Sequence, residues 1–185
     1  MQGESLYFDS PDGLRLHAKS HGPKDAPLVA LCMHGLTRNH KDFEPMIAAL
    51  PKRYRFIAVD VRGRAQSDRD PNPENYTPAT YVGDMAVLLD RLGLQRVALI
   101  GTSMGGLMSM IMAKAMPDRI SGIVMNDVGP VLDRAGLDRI AGYANKTEPY
   151  ENWQAAAEAV ARVQGDIFPD YGPDDWMAFA KRTCR

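Results

Sequence analysis

Histidine is missing from most of this chain: all four, at positions 17, 21, 34 and 40, precede residue 41 of 185. Cysteine is nearly absent too. Cys32 and Cys184 form neither a metal-type spacing nor a disulfide framework, so no metal site is expected. Cys32 reads as a small buried hydrophobe, and reducing cytoplasm is the expected compartment. Charge of either sign is not in excess, with a net of −1, so there is no electrostatic reason to expect nucleic acid or a membrane surface as partner. The start, Met1-Gln2-Gly3-Glu4-Ser5, has neither a basic region nor an apolar run, and no secretory signal is expected. No apolar stretch approaches bilayer length. What remains is 185 residues with 45% hydrophobic content, enough for a domain with a proper core.

Leu6 to Ser20 alternates apolar and polar residues around Ser10-Pro11-Asp12-Gly13, a hairpin signal. Leu28 to Met33 is a near-continuous apolar run ending in His34-Gly35, and Asp42 to Leu50 follows with helical spacing. Arg55 to Val59 predicts the next strand, ending in Asp60-Val61-Arg62-Gly63. After a Pro- and Asn-rich loop, Val82, Met85, Ala86, Leu89 and Leu92 mark a helix over about 78–92. Arg96 to Ile100 predicts a buried strand, Leu107 to Ala115 a buried helix, and Gly122 to Met125 one more strand ending in Asn126-Asp127. A hairpin followed by strand–helix alternation predicts an α/β fold: a mostly parallel sheet with helices on both faces. From about Val131 no strand pattern appears. Short helices are expected over 137–144, 153–163 and 175–181, with Trp153, Ala156, Ala157, Val160 and Ala161 on one face of the second. The expected division is a core over 1–130 and a helical cap over 131–185.

Gly101-Thr102-Ser103-Met104-Gly105 lies between the fifth strand and its helix. A Gly-x-Ser-x-Gly in that place is a nucleophile elbow, a tight turn that holds a serine hydroxyl above the sheet. The flanking glycines are expected where a side chain would strike the neighbouring strand or helix. A dinucleotide fingerprint is excluded, because Ser103 occupies the central glycine position and the motif follows a late strand.

Three landmarks stand at successive strand ends: His34-Gly35-Leu36, Asp60-Val61-Arg62-Gly63 and the elbow. In that order, on an alternating background, they resemble the α/β-hydrolase superfamily over essentially the whole chain. The resemblance implies a cofactor-free hydrolase acting on a small ester-like substrate. Ser103 would be the nucleophile, and the backbone amides of Met104 and Leu36 the oxyanion donors, with Gly35 letting its loop approach the elbow. His34 belongs in such proteins to the loop scaffold, so it is retained here only as a site-lining group. Asp127 occupies one of the two strand ends that can carry the triad acid, and it could equally cap the segment that follows. Asp60 and Arg62 are expected to tie their loop together. Ala65 departs from the pattern, standing where a second glycine is common. A serine nucleophile argues against haloalkane dehalogenase chemistry, which needs a carboxylate.

The superfamily order is serine, acid, histidine, and no histidine follows Ser103. His17, His21 and His40 read as solvated surface residues. The expectation is therefore a truncated chain, inactive alone, whose parent is an esterase, lactonase or carbon–carbon bond hydrolase. The alternative is a non-catalytic α/β-hydrolase-like protein that binds a small molecule.

Overall fold

The computed structural model describes residues 3–131, 133–144 and 149–184. The hairpin comprises β1 (Glu4–Asp9) and β2 (Arg15–His21), which pair antiparallel. Its turn is closed by Gly13 at φ 87°, and the Ser10 hydroxyl accepts the Leu14 amide at 2.9 Å. Next come β3 (Val29–Met33), a 3-10 turn at His40–Phe43, α1 (Glu44–Ala49) and β4 (Arg55–Asp60). The unit continues with α2 (Pro78–Arg91), β5 (Val97–Thr102), α3 (Met104–Ala115) and β6 (Ile120–Asn126).

Every residue of β3 and β4 is buried, which is why Val29–Met33 and residues 56–59 read as unbroken apolar runs. They form the middle of a six-stranded sheet ordered β1-β2-β4-β3-β5-β6. β2 runs antiparallel to β4, and β4, β3, β5 and β6 are mutually parallel. Alternate residues along each strand supply the two faces. Leu31, Met33, Ile57, Val59 and Leu99 pack with Tyr81, Met85, Leu88 and Leu89 of α2 and with Met108 and Met112 of α3. On the other face Ala30, Cys32, Phe56 and Ala58 meet Phe43, Met46 and Ile47 around α1. Burial pushes the Cys32 thiol up to about 12, so it behaves as a hydrophobe. Helices therefore cover both faces of a mostly parallel sheet.

The helix starts follow from capping chemistry. The Thr77 hydroxyl accepts the Thr80 amide ahead of Pro78 at the start of α2, as a β-region N-cap should. β6 differs from the inner strands: Val124 is 59% exposed, and Ile123 and Met125 are exposed as well.

The chain divides into two compact units, Met1–Leu132 and Asp133–Arg185. The second contains α4 (Arg134–Ala144), α5 (Trp153–Gln164) and α6 (Pro173–Thr183). Ala156, Ala157 and Ala180 pack α5 against α6, and Phe168, Tyr171, Trp176 and Phe179 form an aromatic cluster beside them. Trp153, placed by its spacing on the same face of α5 as Ala156 and Ala157, is exposed. It stands at the first residue of the helix, a turn away from Ala156 and Ala157. Among the described residues no helix is long and apolar enough to cross a membrane.

Candidate active site

Chain order along the sheet reverses at β3, with β4 on one side and β5 on the other. In open α/β sheets the crevice beyond the carboxyl ends of the strands at such a reversal is where ligands bind. Ser103 follows β5 there, and His34-Gly35-Leu36 follows β3.

Ser103 sits at φ 51° and ψ −112°, a backbone conformation that L-residues adopt only under constraint. The constraint comes from both sides. The Ser103 amide donates to the Asn126 carbonyl at the end of β6 (2.9 Å), and the Gly106 amide donates to the Ser103 carbonyl (2.8 Å). A methyl group at Gly101 would overlap the carbonyl of Gly105, and one at Gly105 would overlap the carbonyl of Met33 on β3. The helix thus presses on the strand through both glycines. Gly106 in turn makes room for the side chain of Val128. The Ser103 hydroxyl makes no capping hydrogen bond to α3 and is left free. Met104 is the first residue of α3, where a helix leaves an amide without an intrahelical partner and favours negative charge.

The facing loop comes close: a methyl group at Gly35 would stand 3.7 Å from the Ser103 Cβ. His34, fully buried, explains how this loop is held. The Val61 amide donates to its Nε2 (3.3 Å), which places the ring proton on Nδ1, and Nδ1 donates to the Gly35 carbonyl at 2.7 Å. That carbonyl belongs to the same peptide plane as the Leu36 amide. By fixing one end of the plane, His34 aims the other. Burial lowers the His34 pKa, so the neutral ring is retained, and neither nitrogen is free to take a proton from Ser103. The opposite side of Leu36 is held by Arg64, whose Nε donates to the Leu36 carbonyl at 2.7 Å.

Asp127 also has a positive φ, 57°. It is exposed and makes no hydrogen bond among the described residues. Its neighbours, not its carboxylate, touch the elbow: Asn126 accepts the Ser103 amide and Val128 packs on Gly106.

The expectation for three histidines is overturned. His17, His21 and His40 are all buried. His17 lies opposite Asp60 in the β2–β4 register, and its Nδ1 is 2.7 Å from the Asp60 carboxylate. The Nδ1 of His40 lies 2.9 Å from both oxygens of the same carboxylate, and the His40 amide donates to it at 2.8 Å. The two imidazoles meet edge to face with centroids 5.0 Å apart. Ser67 completes the knot, accepting the His17 amide (2.8 Å) and donating to the Asp60 carbonyl (2.7 Å). Among the described residues His17, His40 and Asp60 are the group whose ligand atoms could converge on one ion. Spacings of 2.7 and 2.9 Å are those of hydrogen bonds, whereas two ligands on one zinc ion lie about 3.3 Å apart. The group is a proton-holding clasp.

This clasp makes stability pH-dependent. Burial would raise the Asp60 pKa, but hydrogen bonds from His17 and His40 outweigh it and hold the carboxyl well below its ordinary 3.8. A depressed folded pKa means that the unfolded chain binds the proton first, so this stabilisation is present above about pH 4 and lost as the pH falls further. Burial depresses His34 and His21 below 6.5, so stability also falls as the pH drops below about 6.5. Urea midpoints measured from pH 7 to pH 3 should decline in two stages. Asp60→Asn should flatten the lower stage only, and an unchanged slope below pH 4 would count against the clasp.

Arg62 performs the corresponding task on the other side of the loop. Only 1% exposed, it bonds Asp84 of α2 (2.7 Å), Asp70 (2.5 Å) and Asp12 of the hairpin turn (2.8 Å). Asp60 and Arg62 thus tie down the loop after β4, as expected. Ala65, where glycine was expected, takes φ 39°: the turn keeps the left-handed backbone and tolerates the extra carbon.

Comparison with known proteins agrees with this geometry. Residues 29–170 match the family described as the alpha/beta hydrolase fold. The chain belongs to the α/β-hydrolase family. It is 33% identical over 168 residues to the 3-hydroxybutyrate-oligomer hydrolase of Cupriavidus necator, covering 90% of this chain and 57% of that protein. Identity to 3-oxoadipate enol-lactonase 1 of Acinetobacter baylyi is 29% over 156 residues, covering 84% of this chain and 52% of the enzyme. An α/β hydrolase of Novosphingobium aromaticivorans superposes with a TM-score of 0.91 at 42% identity, covering 98% of this chain and 64% of that structure. The α/β-hydrolase chain described here thus spans little more than half the length of these two curated relatives. It is similar to enzymes that hydrolyse small molecules.

Proposed function

We propose that this protein is a cofactor-independent hydrolase that cleaves an ester or related acyl bond through an acyl-enzyme on Ser103. The observation that carries the reading is the free hydroxyl of Ser103, held in a strained turn between a glycine-relieved strand and the first amide of α3. In the proposed reaction the Ser103 Oγ loses its proton to a base and bonds to the substrate carbonyl carbon. The carbonyl oxygen takes up the negative charge between the amides of Met104 and Leu36, a donor pair of which each member contributes about 3 kcal/mol in such sites. Collapse expels the alcohol, and water then releases the acid. The second unit is assigned the role of a cap that selects a small, partly apolar substrate, and Asp127 is retained as a candidate acid. The two curated relatives are named for a 3-hydroxybutyrate oligomer and a 3-oxoadipate enol-lactone. Both compounds join an acyl–oxygen bond to a free carboxylate.

The four histidines are not the base. None is hydrogen-bonded to Ser103, and each of those at 17, 34 and 40 is engaged elsewhere. Residues 1–185 by themselves are accordingly expected to turn over almost nothing. The test is labelling of the protein expressed from its full reading frame with a fluorophosphonate, read by peptide mass spectrometry. Stoichiometric modification confined to Ser103 is the expected result. A protein that binds small ligands yet stays unlabelled would be the non-catalytic binder instead.

A further inference from the structure

The arginines beside the β3 and β4 loops differ in what they hold. Arg62 is surrounded by three aspartates. Arg38 grips Asp42 through two bonds of 2.6 and 2.7 Å, and Arg55 rests its Nε on Ser20. Arg64 is half-buried, and its side chain makes one hydrogen bond, from Nε to the Leu36 carbonyl at 2.7 Å. Among the described residues no carboxylate pairs with it.

The geometry of a guanidinium gives that arrangement a consequence. Its five N–H groups form a planar fork. With Nε fixed on Leu36, the edge formed by the two Nη atoms remains, and that edge also matches a carboxylate in a paired contact. The charge is anchored to the carbonyl of Leu36, the residue whose amide the proposed reaction assigns to the oxyanion. A half-buried cation that no carboxylate pairs with among the described residues, bonded to the carbonyl of Leu36, is suited to receive an anion carried by the substrate. Arg64 also lies in the loop that the Asp60 and Arg62 clusters immobilise, so its position does not depend on a flexible side-chain stem alone.

We propose that the outer guanidinium edge of Arg64 binds a carboxylate on the substrate, so that the preferred acyl substrates are themselves acids; this rests on the acyl-enzyme reading above. Arg64 then sets specificity as well as holding the oxyanion loop. The two roles separate experimentally. Mono-4-nitrophenyl succinate and 4-nitrophenyl butyrate differ mainly in the terminal carboxylate, and both report on release of nitrophenol. With the protein expressed from its full reading frame, Arg64→Gln should lower the succinate-to-butyrate ratio of kcat/KM by about 10- to 100-fold, chiefly through KM. Arg64→Lys should restore part of the ratio, since a point charge remains without the paired contact. Added salt should lower the wild-type ratio and leave that of Arg64→Gln flat. Equal losses for both esters would mean that Arg64 only positions Leu36, and the proposal would be overturned. A titration with glutarate and with glutaramide reads the same edge without turnover, so it decides the matter even if neither ester is cleaved and the acyl-enzyme reading fails. Wild type should favour the acid and Arg64→Gln should not; equal binding by both variants would overturn the proposal on its own.

Discussion

Ser103→Ala, made in the protein expressed from its full reading frame, is expected to lower kcat for an activated ester by about 10⁶-fold, the loss typical of removing a serine nucleophile. The residual rate should keep a similar KM, because the amides of Met104 and Leu36 proposed to hold the oxyanion are backbone groups and stay in place. Ser103→Gly is more informative. A residue held at φ 51° and ψ −112° stores about 1–3 kcal/mol of strain. Glycine relieves it, at a backbone entropy cost of about 0.5–1 kcal/mol. The glycine variant should therefore be inactive and about 1 kcal/mol more stable than wild type in urea. Function and stability would move in opposite directions at one position. If the glycine variant were less stable, the strain assigned to the elbow would be wrong. If Ser103→Ala kept more than a small percentage of the activity, another group would be the nucleophile.

Arg62→Met is expected to be the most destabilising single change in the first unit. Its guanidinium and the Asp84 carboxylate are each 1% exposed. Removing the cation leaves a buried carboxylate without its partner, a loss of about 3–5 kcal/mol out of a total of about 5–15 for a domain. Little of this should come from Asp12, whose side chain is 42% exposed and which is screened by water. Changing Asp84 to leucine as well should recover a substantial part of the loss, because the orphaned charge then disappears with its partner. A cost below about 1 kcal/mol for Arg62→Met, measured as a shift in the urea midpoint, would show that the cluster is ornamental.

Much of this architecture was legible because it rests on local signals. Unbroken apolar runs marked β3 and β5. The spacing of Val82, Met85 and Leu89 marked α2, and the glycines around Ser103 marked the elbow, whose reason proved to be the contact of Gly101 on β5 with Gly105 of α3 and of Gly105 with Met33. The boundaries moved by a few residues, as where α3 begins directly after Ser103, since Gly105 and Gly106 conceal the first turn of a buried helix. What could not be read was long-range pairing of polar groups. His17 and His40 resemble surface residues in any local window. They are buried because β2 lies against β4, a strand that follows it by more than 30 residues, and because that register sets His17 opposite Asp60. Likewise Arg64 was unremarkable in sequence, and its grip on Leu36 arises only when two loops meet. Polar burial is decided by topology, and topology by the sum of many weak preferences.

The Arg62 cluster also bears on the order in which the chain assembles. Its partners come from the hairpin turn, the loop after β4 and α2, at sequence separations of 50, 8 and 22 residues. Closing the longest of these connections before the sheet has formed would demand a large loop for a single ion pair. The bond to Asp70 forms cheaply and early, the one to Asp84 once α2 docks, and the one to Asp12 only after β2 has found β4. Arg62 therefore acts as a latch on the finished sheet, slowing its opening more than it speeds its formation.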